Sequence, residues 1–348
     1  MDSVTQAVLG AVVAESVFNA RPYWRTRFQD ITPIGRKATV IGAVLGTLPD
    51  LDVFIDYGNV VNNTVMHRGF SHSLWVLSLM AIPIAWLIYQ GFRLYSPQKP
   101  GYRRTLLATW LCLITHPLID ALTVYGTQLY WPSSEPPVIW SVFFIIDPVY
   151  TLSLLAGLVM AFVYRSQRKA WYAVMTGLLF SSGYMAWAFA AQGYITQQAS
   201  AWFKTDELLV SPTAFNTIAW RVLVPQGDRV LESYWNVLQA DAPMDMTVID
   251  KGLIWQPQIQ GFDSFQKLQW FSHGYYQVSK QDEQIRVSDL RMGGSGQYIF
   301  TFVIGEVNKG QVTPTLPVQL DRPSYQREDW QQLYRYIFQP ELQQAALK

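Results

Sequence analysis

The chain has 348 residues, of which 26 are basic and 25 acidic, and its net charge of +1 gives no reason to expect nucleic acid; no basic tract or RNA-type motif appears. Half of its residues are hydrophobic, and the single cysteine, Cys112, lies inside an apolar run. An intrachain disulfide is therefore excluded, while the redox compartment stays open.

Met1-Asp2-Ser3 puts no basic residue ahead of the first apolar stretch, which argues against a cleaved signal peptide. Apolar stretches of about 20 residues match the hydrocarbon thickness that a helix must cross. In chain order they are Ser3–Phe18, 38–55, 74–92, 105–125, 142–164 and 171–191. The first is short and the second ends in acidic residues. The third and the 149–164 part of the fifth lack the polar face that a helix on a soluble core would show. The expectation is an α-helical membrane bundle of about six transmembrane helices over residues 1–192.

Basic residues orient the bundle. Arg21, Arg25, Arg27, Arg36 and Lys37 fall in the first connection, Arg93, Lys99, Arg103 and Arg104 in the third, and Arg165, Arg168 and Lys169 in the fifth. The second connection holds only Arg68, and the fourth, 126–141, holds none. The positive-inside rule makes the odd connections cytoplasmic and puts both termini outside.

Past Gln192 the composition becomes mixed. A strand pair around Pro225-Gln226-Gly227-Asp228, another around Gly293-Gly294-Ser295-Gly296, and a helical tail at 327–347 predict an extracytoplasmic α+β domain over residues 193–348. No internal repeat or low-complexity linker separates the two halves.

Two of the four histidines stand at the lip of an apolar run, in "NNTVMHRGFSHSLWVLSLM". His67, Arg68 and His72 lie where the chain enters the third helix from outside. The second helix ends in "GTLPDLDVFID", with Asp50, Asp52 and Asp56; the fourth carries "THPLID", whose His116 and Asp120 share one helical face. Asp147 opens the fifth, and Gln6 lies on the first near the outer surface. Asp50, Asp52, His67, His72, His116, Asp120 and Asp147 thus converge at one depth from four segments. Carboxylates crowded together repel unless a cation holds them. Mixed imidazole and carboxylate donors suit zinc, manganese or iron, as one ion or two.

Each residue also has a plainer role open to it. His67 and His72 can cap helices at the interface, Asp50 can end one, and His116 can satisfy carbonyls freed by Pro117. Glu15 fits the far interface, and His273 in "WFSHGYY" fits a structural role in the outer domain.

The ordered motifs "MDSVTQAVLGAVVAE", "GTLPDLD", "HRGFSHS", "THPLIDALTVYGTQLYWP" and "IIDPVYT" resemble the bacterial membrane-bound metal-dependent hydrolases, a family typified by an inner-membrane protein under the SOS repressor. The likeness covers the membrane half and weakens through "SPTAFNTIAWRV", "WFSHGYY" and "VSDLR". It implies metal ligands at Asp50, Asp52, His67, His72, His116 and Asp120, and a place in the bacterial cytoplasmic (inner) membrane as a multi-pass protein. Shorter relatives often have Thr-His where this chain has Thr5-Gln6, so helix one is expected to give only a hydrogen bond.

A divalent ion held by such groups lowers the pKa of bound water towards about 7. Arg68 has the fork geometry for a phosphate or carboxylate, and Arg68, Asp52 and Asp147 are the candidate catalytic groups. The expected activity is hydrolysis of an anionic, lipid-linked (phospho)ester at the outer face of the bilayer. The rival reading is a metal or proton carrier, or an envelope sensor; a carrier needs polar groups continuing inward, and here they gather at the outer end.

Overall fold

Asp2 starts the first helix, its carboxylate accepting from the backbone N–H groups of Val4 and Thr5, and α1 runs over Ser3–Phe18. The computed structural model describes residues 1–20, 35–97, 100–164, 166–294 and 296–341. Arg21, Arg25, Arg27, Lys99, Arg165, Ser295 and the end of the expected tail helix lie outside the described residues. The membrane half continues with α2 (Lys37–Thr47), α3 (Val60–Met66), α4 (Leu74–Tyr95), α5 (Tyr102–Ala121), α6 (Pro148–Val163) and α7 (Gln167–Phe203).

Of the six expected crossings, two helices among the described residues, α4 and α7, are long and apolar enough to span a bilayer; α1, α2 and α6 are shorter apolar helices. Six full crossings are therefore not supported, and the chain itself shows why. Pro49 removes a backbone donor and ends the second segment at Thr47, after which the chain turns into a 3-10 helix over Pro49–Phe54. The fifth segment begins as helix only at Pro148; Val142 and Phe143 are buried in non-helical chain whose N–H groups reach the Leu122 carbonyl.

What the two long helices show to their surroundings is apolar. Along α4 only Leu77, Ala81, Ala85 and Phe92 are buried, while Trp75, Leu79, Met80, Ile82, Trp86 and Leu87 are exposed. A bare apolar face of this size belongs in lipid rather than water. The bundle closes through small residues instead. A Cβ on Gly42 would stand 2.2 Å from the Gly10 carbonyl oxygen, and one on Gly157 2.8 Å from that of Ala173. Close backbone approach at small residues is how helices pack where lipid removes the hydrophobic drive between them.

Helix α7, about 55 Å long at 1.5 Å per residue, runs past position 192. Its Ile195 and Ala199 pack into the core of the C-terminal half with Trp220, Val222 and Trp235. There, β1 (Leu209–Pro212), β2 (Ala219–Gln226), β3 (Arg229–Asn236) and β4 (Asp245–Asp250) form an antiparallel sheet in sequence order. The expected turn falls between β2 and β3, with Gly227 at φ 60°. Next come α8 (Gln256–Ile259), α9 (Asp263–Phe271), β5 (Tyr276–Gln281), β6 (Gln284–Asp289), β7 (Gly293–Gly294), β8 (Gln297–Tyr298), β9 (Thr301–Asn308), β10 (Gln311–Gln319) and α10 (Arg327–Phe338). The second sheet has the order β10-β9-β6-β5, and the small β7–β8 ribbon occupies the glycine-rich turn between β6 and β9. This sheet and α9 share a core with Val61 and Val65 of α3 and with Tyr125. The C-terminal half thereby roofs the loops at the mouth of the bundle.

Candidate metal centre

Four elements end at that mouth. The 3-10 helix after α2 brings Asp50 and Asp52; a second short 3-10 helix, Phe70–His72, brings His72 to the start of α4. The last turns of α5 bring His116 and Asp120, and α1 brings Gln6. His72, His116, Asp120 and Gln6 are all fully buried, and Asp50 is partly exposed.

Asp50, His72, His116 and Asp120 each offer one ligand atom, and the four atoms lie within 4.8 Å of one another. Asp50 Oδ1 is 3.4 Å from His72 Nε2 and 3.3 Å from His116 Nε2; Asp120 Oδ2 is 3.3 and 3.5 Å from the same two nitrogens. With both rings neutral, their hydrogen bonds decide what those nitrogens are. His116 Nδ1 donates to the Gly46 carbonyl at 2.6 Å, so its Nε2 carries a lone pair. Ser71 donates its hydroxyl to Asp52 Oδ2 at 2.6 Å and accepts from His72 Nδ1 at 2.9 Å, which leaves His72 Nε2 a lone pair too. The two Nε2 atoms nevertheless face each other at 3.0 Å. Two lone pairs and two carboxylates aimed at one point repel unless a cation lies among them, so the donor set fits a divalent ion. Asp120 Oδ2 is buried and makes no hydrogen bond, its charged neighbour being the Arg68 guanidinium at 3.2 Å, so it keeps a lone pair for an ion. Its other oxygen accepts from Gln6 Nε2 at 2.9 Å and from the Met1 amino group.

Asp52 and His67 stand beside this quartet and are joined to each other. His67 Nδ1 lies 2.8 Å from Asp52 Oδ1, while Asp52 Oδ2 accepts from the Arg68 N–H at 3.0 Å and from Ser71. Burial pushes the Asp52 carboxyl up, but the His67 contact outweighs it and, with Ser71, holds the group below its ordinary value. Asp147 caps α6, accepting from Tyr150 N at 3.0 Å and the Tyr184 hydroxyl at 2.9 Å. Asp56 is exposed and closes a local turn with Gly58 and Asn63. His273 accepts its plainer role: Nε2 bonds the Pro137 carbonyl at 2.8 Å, and burial lowers its pKa. Glu15, at the opposite end of α1, is taken up by Thr39 and Asn19.

Arg68 is buried with φ at +63°, a conformation that only surrounding structure enforces on a side chain of this size. Its Nε lies 3.2 Å from Asp120 Oδ2, its Nη1 donates to Thr123 Oγ1 at 3.2 Å, and its guanidinium lies 4.9 Å from the Tyr125 ring centre. Tyr125 in turn meets Phe271 and Phe300 of the C-terminal half edge-on. Sequence reasoning missed Tyr125, Thr123 and Ser71. All three stand inside the singled-out motifs, but no ligand chemistry distinguishes them there. Tyr125→Ala therefore should loosen Arg68 and separate the C-terminal half from the mouth: limited proteolysis is expected to release fragment 204–348 several-fold faster, while Tyr125→Phe stays near wild type.

A family model described as YdjM inner membrane protein matches residues 1–195. The chain belongs to the YdjM inner membrane protein family. That membership makes it a membrane protein and covers every residue of the quartet. Among curated proteins the chain is similar to Uncharacterized protein YfhP of Bacillus subtilis (strain 168), 24% identical over 289 residues that cover 78% of this chain and 83% of the relative. It is also similar to Inner membrane protein YbcI of Escherichia coli (strain K12), 32% identical over 91 residues, 26% of this chain and 49% of the relative. No solved structure matches this YdjM-family chain.

Proposed function

We propose that this YdjM-family protein is a metal-dependent hydrolase of the membrane surface, with Asp50, His72, His116 and Asp120 holding one divalent ion, zinc or manganese. The observation that carries the reading is the pair of facing imidazole nitrogens between two carboxylates, one of them with a buried oxygen that makes no hydrogen bond. When bound, such an ion supplies Lewis acidity and makes water a usable nucleophile near neutral pH.

The chain's own groups then divide the work. Gly46 and Ser71 fix the two ring tautomers, and Gln6 holds Asp120 from behind. Asp52 turns His67 so that its Nε2 is left for proton transfer, and the His67 side chain is 25% exposed, the most open of the histidines at the mouth. Arg68 adds fixed positive charge beside Asp120, which favours an anionic substrate. A lipid-linked phosphoester fits a pocket that opens at a bilayer surface. Asp147 orients α6 rather than reacting. The occupied state of Glu15 favours a one-sided pocket over a carrier, since among the described residues no acidic cluster continues inward from the quartet.

The test is turnover of phospholipids and polyprenyl phosphates in mixed micelles, with and without chelator. Wild-type protein is expected to cleave one of these classes, to stop with chelator and to resume with zinc or manganese. Arg68→Ala should keep metal and lose at least about a hundredfold in rate, the scale of losing one electrostatic contact in a transition state. Arg68→Lys should recover only part, because an ammonium lacks the planar fork. Proteoliposomes that move metal in a His116-dependent way while no ester is cleaved would establish the carrier instead.

Orientation belongs to the same proposal. Arg36, Lys37, Arg93, Arg103, Arg104, Arg168 and Lys169 stand at the helix ends opposite the quartet, which supports a cytoplasmic side there by the positive-inside rule. A reporter fused at Ser96 should read cytoplasmic, and one fused after Lys204 external. The reverse readings would put the mouth inside the cell.

A further inference from the structure

Helix α10 is fixed on one face and bare on the other. Its inner face is locked to the first sheet: Tyr336 stacks on Tyr234 at 4.5 Å, donates to Asp245 Oδ2 at 2.7 Å, and its carbonyl accepts from Asn236 Nδ2 at 2.7 Å. Its outer face carries Trp330, Tyr334 and Phe338, spaced four apart and 47%, 54% and 64% exposed. Beside them Arg327 and Arg335 flank an open concavity of about 370 Å³ that Trp330, Gln331, Tyr334 and Gln339 complete. Neither arginine is ion-paired among the described residues, and the helix's acidic groups sit in its first turn, where Asp329 is taken by the Gln326 N–H.

This face continues the membrane-facing surface of the bundle. Trp330 stacks on Phe215 at 6.1 Å, and Phe215 meets Phe144 edge-on at 5.3 Å. Phe144 leads directly into Ile145 and Ile146, both exposed, just ahead of α6. At the same level Trp187 of α7, itself exposed, donates to Thr217 in the loop that holds Phe215. Aromatic side chains gather at the level of lipid headgroups, and helices that lie in the interface pair such a stripe with arginine or lysine.

We propose that the outward face of α10 is a lipid-binding site at the bilayer surface, its aromatic stripe seated among headgroups and its two arginines holding phosphates of acidic phospholipids. The site tethers the outer domain at a fixed height above the mouth of the bundle. The proposal needs the chain to lie in a membrane, but it does not need the metal or any hydrolytic activity.

The experiment uses the full chain in nanodiscs of phosphatidylcholine alone or with phosphatidylglycerol. Cys112 is buried, so a polarity-sensitive dye on Gln331→Cys reports this face selectively. Spin-labelled lipid should quench the dye, severalfold more strongly when phosphatidylglycerol is present. Arg327→Glu with Arg335→Glu should abolish that increase, and Trp330→Ser with Tyr334→Ser should lower quenching in both lipids. A dye reached by aqueous iodide but not by labelled lipid overturns the proposal. So does lipid quenching indifferent to phosphatidylglycerol, and so does protection that appears only at high protein density, which would make the face a contact between copies.

Discussion

Asp120→Asn is expected to strip the protein of bound metal and to destabilise it by about 3–5 kcal/mol, the cost of leaving a buried charge without its partner. Asp120 is fully buried and stands between two positive demands. Its Oδ2 faces Arg68 Nε at 3.2 Å and the two histidine nitrogens, and its Oδ1 takes Gln6 and the Met1 amino group. Asparagine keeps the size but loses the charge, so both Arg68 and the ion lose their counter-charge. The comparison is Asp147→Asn. Asp147 is just as buried, yet it caps a helix and meets Tyr184, and its loss should cost about 1 kcal/mol with metal retained. Thermal unfolding with metal analysis of both variants in detergent checks the contrast. Equal losses from the two would mean that Asp120 is structural.

Gly42→Val should be more damaging still, with no ligand touched. A Cβ there meets the Gly10 carbonyl oxygen at 2.2 Å and the Ala14 Cβ at 2.6 Å, and backbone cannot step aside as a flexible side chain can. Helices α1 and α2 must separate. Overpacking in a close-packed interior costs about 1–3 kcal/mol where neighbours yield, and more where they do not. The separation would also reach the metal centre, because α2 carries the Gly46 carbonyl that orients His116 and leads into Asp50. Loss of metal and a large fall in the unfolding temperature are expected together. Gly91→Ala is the control: nothing lies within 4 Å of its added methyl, and it should leave both unchanged.

These cases show which features could be read from the chain. His116 and Asp120 were visible as a pair because four residues make one helical turn, and Asp50 and His72 because charged groups at the lip of apolar runs need a reason. The finer sorting was not visible. Asp52 and His67 carry the same chemistry as their neighbours, and only the 2.8 Å contact between them separates the orienting pair from the quartet. Hydropathy likewise marked apolar stretches without telling lipid-facing helix from buried loop. Val142 and Phe143 are apolar because they fill the bundle core, Phe143 packing on Tyr150 and Tyr184, in chain that is not helical. The close approach of Gly10 to Gly42 and Gly46 depends on which helices are neighbours, and no local pattern fixes that. In the C-terminal half, alternation and the Gly227 turn were enough for β2 and β3, whereas the roof that Phe271 and Phe300 build over Tyr125 joins segments far apart in sequence.

The most direct test is metal content of the detergent-purified chain, measured by elemental mass spectrometry beside His72→Ala, His116→Ala and His273→Ala. The wild-type chain should carry about one zinc or manganese ion, His72→Ala and His116→Ala none above background, and His273→Ala an unchanged amount. A wild-type chain that carries no divalent metal after loading, or folded His72→Ala and His116→Ala proteins that keep it, would show that the quartet is not a metal site.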